Sequence, residues 1–148
     1  MKATMNKQEN TITRLYDKWN DLKTQAKEDC KNLNISNLEQ DFDLVGHSIK
    51  WLNFFQDWKR VLITLEIKRK KIKRELTEYY RLEYNMRLET KDELLLFIET
   101  DDKYISILEQ TQIVNSILIF CESVLDKLKM KSYEIKNWID YQKFINGN

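Results

Sequence analysis

The residues with the clearest chemical potential in this sequence form a basic run from Lys68 to Arg74. Six of its seven positions carry a lysine or an arginine. Seven residues make about two turns of an α-helix, so these charges spread around the helix. The nearby acidic residues Glu66, Glu75 and Glu78 are too few to neutralise them.

The charge of the chain is segregated along its length, although the formal net charge is only +1. Ten basic residues stand against four acidic ones between positions 59 and 87, and seven acidic against two basic between positions 89 and 109. Three interpretations remain open: a solvated helix face, ion pairing with the acidic segment within a chain or across subunits, or a track for a phosphate backbone. Tyr79, Tyr80, Arg81 and Tyr84 follow the run and would supply the stacking surfaces that single-strand binders use.

Other patterns point away from catalysis. Metal sites and phosphate loops need histidines, cysteines or glycines in close series, but the sequence has one histidine, His47, and two glycines. Many carboxylates stand in helical salt-bridge register, and Cys30 and Cys121 lack metal-ligand spacing. We therefore expect no catalytic site, no metal and no cofactor, and we expect His47 to be structural or solvated.

The elements that position these residues are predicted to be helices. The 148-residue chain has no proline, and its only glycines are Gly46 and Gly147, so the turn residues that sheets need are almost missing. Apolar residues spaced three and four apart predict a helix over residues 11–31, with a linker at 32–35. The predicted fold class is all-α, with long antiparallel helices and coiled-coil seams, assembling into a homo-oligomer.

A long helix is predicted over residues 36–84. Ser36 and Glu39 form a capping-box pattern at its start, and Gly46 is a candidate kink. Its seam, with one arginine among apolar residues, consists of Trp51, Phe55, Trp58, Leu62, Leu65, Arg69, Ile72, Leu76 and Tyr79. A place in the core is favoured over base stacking for the aromatic cluster Trp51, Phe54, Phe55 and Trp58.

Two further helices are predicted after the pattern lapses at 85–89. Thr90 and Glu93 form a second capping box before a short apolar stretch. Thr100-Asp101-Asp102 is the start signal of a long helix that is acidic in its first turn. The long helix has two adjacent apolar stripes, so it must meet more than one neighbour: the earlier long helix and another subunit. The residues assigned to self-association are Val114, Ile117, Leu118, Cys121, Leu125, Leu128, Ile135 and Ile139.

The sequence does not predict export or membrane insertion. Its N-terminus lacks the apolar run of a signal peptide, and no stretch approaches the ~20 apolar residues of a membrane span. We therefore expect a soluble, intracellular protein.

Several segments together resemble the UvsY-type recombination mediators of tailed phages. Their order and spacing are similar over about residues 36–147. The segments are KWLN at 50–53, RELTEYYR at 74–81, FCESVLDKLK at 120–129 and YEIKNWI at 133–139. The helix at 11–31 has no counterpart in this resemblance. Lys131-Ser132-Tyr133 replaces the usual Arg-Gly-aromatic sequence, which removes a glycine at that point.

The resemblance implies a non-enzymatic protein that binds single-stranded DNA and helps a RecA-like recombinase replace a phage single-strand-binding protein. It also implies a closed ring of about six or seven subunits in the host cytoplasm. The basic residues carried over by position are Lys68, Arg69, Lys70, Lys71, Lys73 and Arg74, to which the stacking argument adds Tyr79, Tyr80 and Arg81. The C-terminal helix would serve assembly.

Residues 1–35 are accordingly predicted to form an N-terminal helix and linker, and residues 36–148 a mediator domain. This domain would contain the basic helix 36–84 and the assembly helices 90–146. A helical scaffold or adaptor without DNA binding is the alternative, since it explains every feature apart from the resemblance. A nuclease is disfavoured because metal ligands are missing from the sequence.

Overall fold

Four helices make up the part of the chain that the computed structural model describes, which is residues 2–31, 44–84 and 90–147, with side chains from residue 10 onward. They are α1 (Lys2–Cys30), α2 (Leu44–Leu82), α3 (Lys91–Glu99) and α4 (Asp102–Asn146). These ranges contain no strand, which confirms the all-α prediction. The chain divides into a first unit, Met1–Asp17 with Trp58–Ser116, and a second unit, Lys18–Asp57 with Ile117–Asn148.

The helix boundaries agree with the periodicity except at the start of α1. This helix begins at Lys2 rather than at residue 11, because its first residues include good helix formers but show no apolar period. The helix α2 continues through Gly46. The capping box at Ser36 and Glu39, the linker at 32–35, the lapse at 85–89 and the proposed domain boundary lie outside the described residues.

One core cluster of the first unit joins the C-terminal end of α2 to α3 and the start of α4. Its buried centre is Leu76 of α2 with Leu94 and Ile98 of α3. Ile72, Tyr80 and Tyr104 pack around this centre. Leu94 and Ile98 lie four residues apart, so one face of the short α3 is buried.

Side-chain caps set the starts of α3 and α4. The Thr90 hydroxyl accepts a hydrogen bond from the Glu93 amide at 3.2 Å, and the Glu93 carboxylate accepts one from the Thr90 amide at 3.2 Å. The carboxylate of Asp101 accepts a hydrogen bond from the Lys103 amide at 2.9 Å. Both predicted helix starts are therefore confirmed, and each satisfies amides that lack partners within the helix.

The second unit contains the C-terminal end of α1, the start of α2 and most of α4. Trp51 is completely buried and packs edge-on against Phe54 and Phe120, with ring centroids 5.3 and 6.1 Å away. It is a core residue, as predicted, whereas Phe54, Phe55 and Trp58 are half-buried.

The carboxylate of Asp29 links α1 to α2 within this unit. Asp29 Oδ2 accepts hydrogen bonds from the Lys50 ammonium at 2.8 Å and the Trp51 indole at 2.9 Å. The other oxygen, Oδ1, lies 3.4 Å from His47 Nδ1. Burial raises the pKa of Asp29, but the two hydrogen bonds and the charges of Lys50 and His47 outweigh burial and leave it below 3.8. His47 therefore belongs to a contact between helices.

The helix α4 contributes many of the buried apolar residues. Among the described helices it alone is long and apolar enough to cross a membrane by length and composition. Half of its most apolar stretch is buried inside the chain. The helix ends at Asn146, and Gly147 follows with φ of 72°, in the left-handed region that commonly ends helices.

Candidate nucleic-acid interface

The basic run lies on α2 within the first unit. Lys68, Lys70, Lys71, Lys73 and Arg74 are exposed, and Arg69 is half-buried. Arg69 holds the seam position between buried Leu65 and half-buried Ile72. An arginine at such a position can pack its aliphatic part and keep its guanidinium in solvent. At 1.5 Å per residue, the six cations fall within about 9 Å of helix axis. We call these six residues the basic segment.

The basic segment forms a single ion pair with the described part of the chain. Arg74 Nε lies 3.1 Å from Glu78 Oε1, with both side chains mostly exposed. Such a surface pair contributes little, about 0–1 kcal/mol. Neither the other five cations nor Arg74 forms an ion pair with a described carboxylate of the acidic stretch 90–109. The positive charge is therefore available to a ligand within this unit.

An aromatic cluster lies beyond the basic segment at the end of α2. We call Tyr79, Tyr80, Tyr84 and Phe97 the tyrosine cluster. Ring centroids are 5.1 Å apart for Tyr79 with Tyr80 and for Tyr80 with Tyr84, and 6.2 Å apart for Tyr79 with Tyr84. Phe97 of α3 completes the cluster, 5.6 Å from Tyr80 and 5.4 Å from Tyr84.

Two members of the tyrosine cluster occupy different environments. Tyr79, which was predicted at the seam, is 43% exposed, and half-buried Tyr80 packs on the core instead. A straight α-helix drifts about 20° per heptad from a 3.5-residue repeat. Over the four heptads from Trp51 to Tyr79 this drift reaches about 80°. Tyr79 is therefore turned away from the core, and the next residue, Tyr80, faces the core in its place. The prediction that Tyr79 lies in the seam is therefore wrong.

Tyr80 is fixed in place by a hydrogen bond to the cap of α4. Its hydroxyl donates to Asp101 Oδ2 at 2.9 Å, while the other oxygen of Asp101 accepts from the Lys103 amide. Burial raises the pKa of Tyr80 to about 12, and the hydrogen bond and charge of Asp101 act in the same direction. Tyr80 therefore stays a neutral donor at physiological pH.

The residues assigned to self-association fall into buried and accessible groups. Val114, Ile117, Leu118, Cys121 and Leu128 are buried within the chain, Leu125 and Ile135 are half-buried, and Ile139 is 41% exposed. Burial raises the pKa of the Cys121 thiol to about 11, which suits a packing role. Beyond Ile135, α4 exposes large apolar side chains: Trp138, Ile139, Tyr141, Phe144 and Ile145.

Sequence reasoning missed two residues of the interface. Phe97 completes the tyrosine cluster, and Asp101 anchors it. The sequence pattern at Thr100 to Asp102 predicted a helix start with acidic residues in its first turn, but no particular role for Asp101. No local pattern linked Asp101 to Tyr80, since 21 residues separate them.

The chain is similar to solved structures of a phage protein. Two crystal structures of the bacteriophage T4 recombination mediator protein UvsY, in lattice types IV and II, match it with TM-scores of 0.71 and 0.73. Both are 24% identical to it. The first match covers 85% of this chain and 97% of the other, and the second covers 86% and 96%. At this identity the likeness shows a shared fold. No curated protein matches the chain.

A family match extends over most of the chain. Residues 42–148 match the family described as "Recombination, repair and ssDNA binding protein UvsY". The matched range contains the basic segment, the tyrosine cluster and α4. It leaves out the whole of α1, and the helix at residues 11–31 likewise had no counterpart in the resemblance. The chain therefore belongs to the UvsY family of recombination, repair and single-stranded-DNA-binding proteins.

Proposed function

We propose that this protein is a recombination mediator that binds single-stranded DNA and helps load a RecA-like recombinase onto strands covered by single-strand-binding protein. The observation that carries the proposal is the basic segment of a chain that belongs to a DNA-binding family. Five of its six cations are exposed, and only Arg74 pairs with a described carboxylate. Phosphate contacts of this kind do not depend on the base sequence of the DNA, and a mediator must act on strands of any base sequence.

The mechanism follows from polyelectrolyte physics. Each cation that neutralises a phosphate releases condensed counterions, so affinity falls as salt rises. Repetition of the segment around a ring of subunits would multiply these contacts without any new interaction within one chain. The protein would hold the strand by its backbone and leave the bases open to the recombinase. No step requires nucleotide hydrolysis or a bound metal.

Self-association into a ring of about six or seven subunits is part of the proposal. Its support is the exposed apolar face of α4 beyond Ile135, where Phe144 is 83% exposed and Tyr141 59% exposed. Exposed apolar side chains in such number are typical of an interaction surface. Sedimentation velocity at micromolar concentration should show an oligomer, and Ile139→Asp with Phe144→Asp should shift it towards smaller species. A monomeric wild type would contradict the assembly.

The DNA-binding test is fluorescence anisotropy with a labelled single strand of ~20–40 nucleotides, titrated at several salt concentrations beside a duplex. We expect tighter binding to the single strand. Lys70→Gln with Lys71→Gln should lower the slope of log K against log salt by about 1.4 per engaged chain, since each single-strand phosphate contact contributes about 0.7. Charge reversal at the same two positions should weaken binding further.

The matched control reverses two exposed lysines of the first unit outside the basic segment. Lys91→Glu with Lys103→Glu makes the same change in net charge as the charge reversal at Lys70 and Lys71. If the control weakens DNA binding less, the contact lies on α2. If a folded, assembled sample bound no strand at low salt, the protein would be a helical scaffold or adaptor.

Recombinase loading has its own assay. A RecA-like ATPase is added to a strand pre-coated with single-strand-binding protein, and the lag before ATP hydrolysis is measured. We expect the wild type to shorten the lag and the Lys70→Gln, Lys71→Gln variant to lose this effect. If the wild type bound DNA but did not shorten the lag, the protein would be a strand-binding protein without mediator activity. We expect this function in the host cytoplasm.

A further inference from the structure

The tyrosine cluster is built unlike an ordinary core contact. Tyr80, Tyr84 and Phe97 support one another at centroid distances of 5.1 to 5.6 Å. Tyr79 packs on Tyr80 and Tyr84, yet 43% of its surface stays open to solvent. An aromatic ring held from one side and open on the other provides a rigid surface for a second flat group. The hydrogen bond from Tyr80 to Asp101 keeps the support in place.

The position of Tyr79 on α2 relates it to the basic segment. Lys68 precedes Tyr79 by eleven residues, close to three helical turns, so both project from the same side of α2 about 16 Å apart along the axis. Lys71 lies between them, within a quarter turn of the same side. A strand held by Lys68 and Lys71 and continuing along α2 would thus reach Tyr79.

The charges around Tyr79 favour a base over a phosphate. Glu75, one turn before Tyr79 on the same side, is exposed, and Glu78, which pairs with Arg74, is adjacent to Tyr79 in sequence. Asp101, which binds Tyr80, adds a third carboxylate to this end of the unit. Carboxylates repel phosphates, whereas the neutral faces of bases are unaffected. The basic segment therefore suits the backbone and the tyrosine cluster suits a base.

We propose that Tyr79 stacks against a base of the bound single strand, with Tyr80, Tyr84 and Phe97 as its supporting platform. This inference rests on the proposed function, because it needs a strand already held by the basic segment. It divides the two predicted tyrosines between different roles: Tyr79 contacts the ligand, and Tyr80 is a positioning residue. Stacking on one aromatic ring is tolerant of sequence, since every base has a π-face.

The test compares two strands of equal length and charge, one carrying bases and the other an abasic deoxyribose-phosphate backbone. Wild-type protein should bind the strand with bases more tightly by at least about 5-fold, the lower end of what one stacked base contributes. Tyr79→Ala should abolish most of this difference, and Tyr79→Phe should retain it. Neither variant should change the salt slope, which reports phosphate contacts.

The control is Tyr133→Ala, which removes another exposed tyrosine, 58% exposed, from α4 in the second unit. It should leave the preference for bases intact. Equal binding of wild type to both strands would overturn the stacking role while leaving the phosphate contacts standing. If Tyr79→Ala weakened the binding of both strands equally, the stacking role would be overturned as well. Failure of the proposed function has a different signature, because the wild type would then bind neither strand at low salt.

Discussion

Removal of the Asp29 carboxylate should destabilise the second unit by about 1–4 kcal/mol. The Trp51 indole is fully buried, and its N–H donates to Asp29 at 2.9 Å. In Asp29→Ala this donor loses a charged acceptor and has no access to water, which costs about 1–3 kcal/mol. The Lys50 and His47 side chains are 37% and 28% exposed and regain water, so their pairs add only about 0–1 kcal/mol.

The assay is urea unfolding at a fixed protein concentration, because association also contributes to stability. Asp29→Asn keeps one acceptor for the indole but loses the charge, so we expect a smaller loss. The matched control is Asp21→Ala, which removes an exposed aspartate from the same helix and should change the free energy of unfolding by less than about 0.5 kcal/mol.

The pH dependence of this contact has a definite sign. The pKa of Asp29 is lowered in the folded state, so its contribution is present above the ordinary value of 3.8 and is lost as pH falls through the folded-state pKa. The difference between wild type and Asp29→Ala should therefore be constant near neutral pH and shrink below pH 3.8. If Asp29→Ala and Asp21→Ala were equally stable at pH 7, the reasoning would be refuted.

Three further outcomes concern the first unit. Ile98→Ala should cost about 2–5 kcal/mol in urea unfolding, because Ile98 is 1% exposed at the centre of the core, and a loss below 1 kcal/mol would show that the site collapses freely. Thr90→Ala removes the capping box and should cost about 1 kcal/mol, whereas Thr90→Ser should retain it. The raised pKa of Tyr80 contributes stability that is present below pH 10 and lost as pH rises towards 12. The Tyr80→Phe variant should lack this alkaline loss, and identical alkaline profiles would contradict the assignment.

Local patterns were sufficient for the helices themselves. Apolar residues spaced three and four apart, with almost no glycine and no proline, leave the α-helix as the only element that buries them on one face. Capping boxes such as Thr90 with Glu93 depend on residues three apart, so their geometry is encoded nearby in the chain. The basic segment is likewise visible as a run of residue types.

Contacts between distant residues were decided by the tertiary structure. Asp29 meets Trp51 across 22 residues, and Tyr80 meets Asp101 across 21, and neither pairing has a local signal. The tertiary structure also decided that Tyr80, and not Tyr79, packs on the core. A small angular drift per heptad accumulates along a helix, and only the packing against α3 and α4 shows which residue faces the core after several heptads. Burial of Val114 and Cys121 within the chain also depended on which neighbours α4 found. The sequence by itself thus determined the helices and the site of the positive charge, whose causes are local. Only the tertiary structure decided which side chains remain free to meet DNA or another subunit, because exposure depends on every element that packs against them.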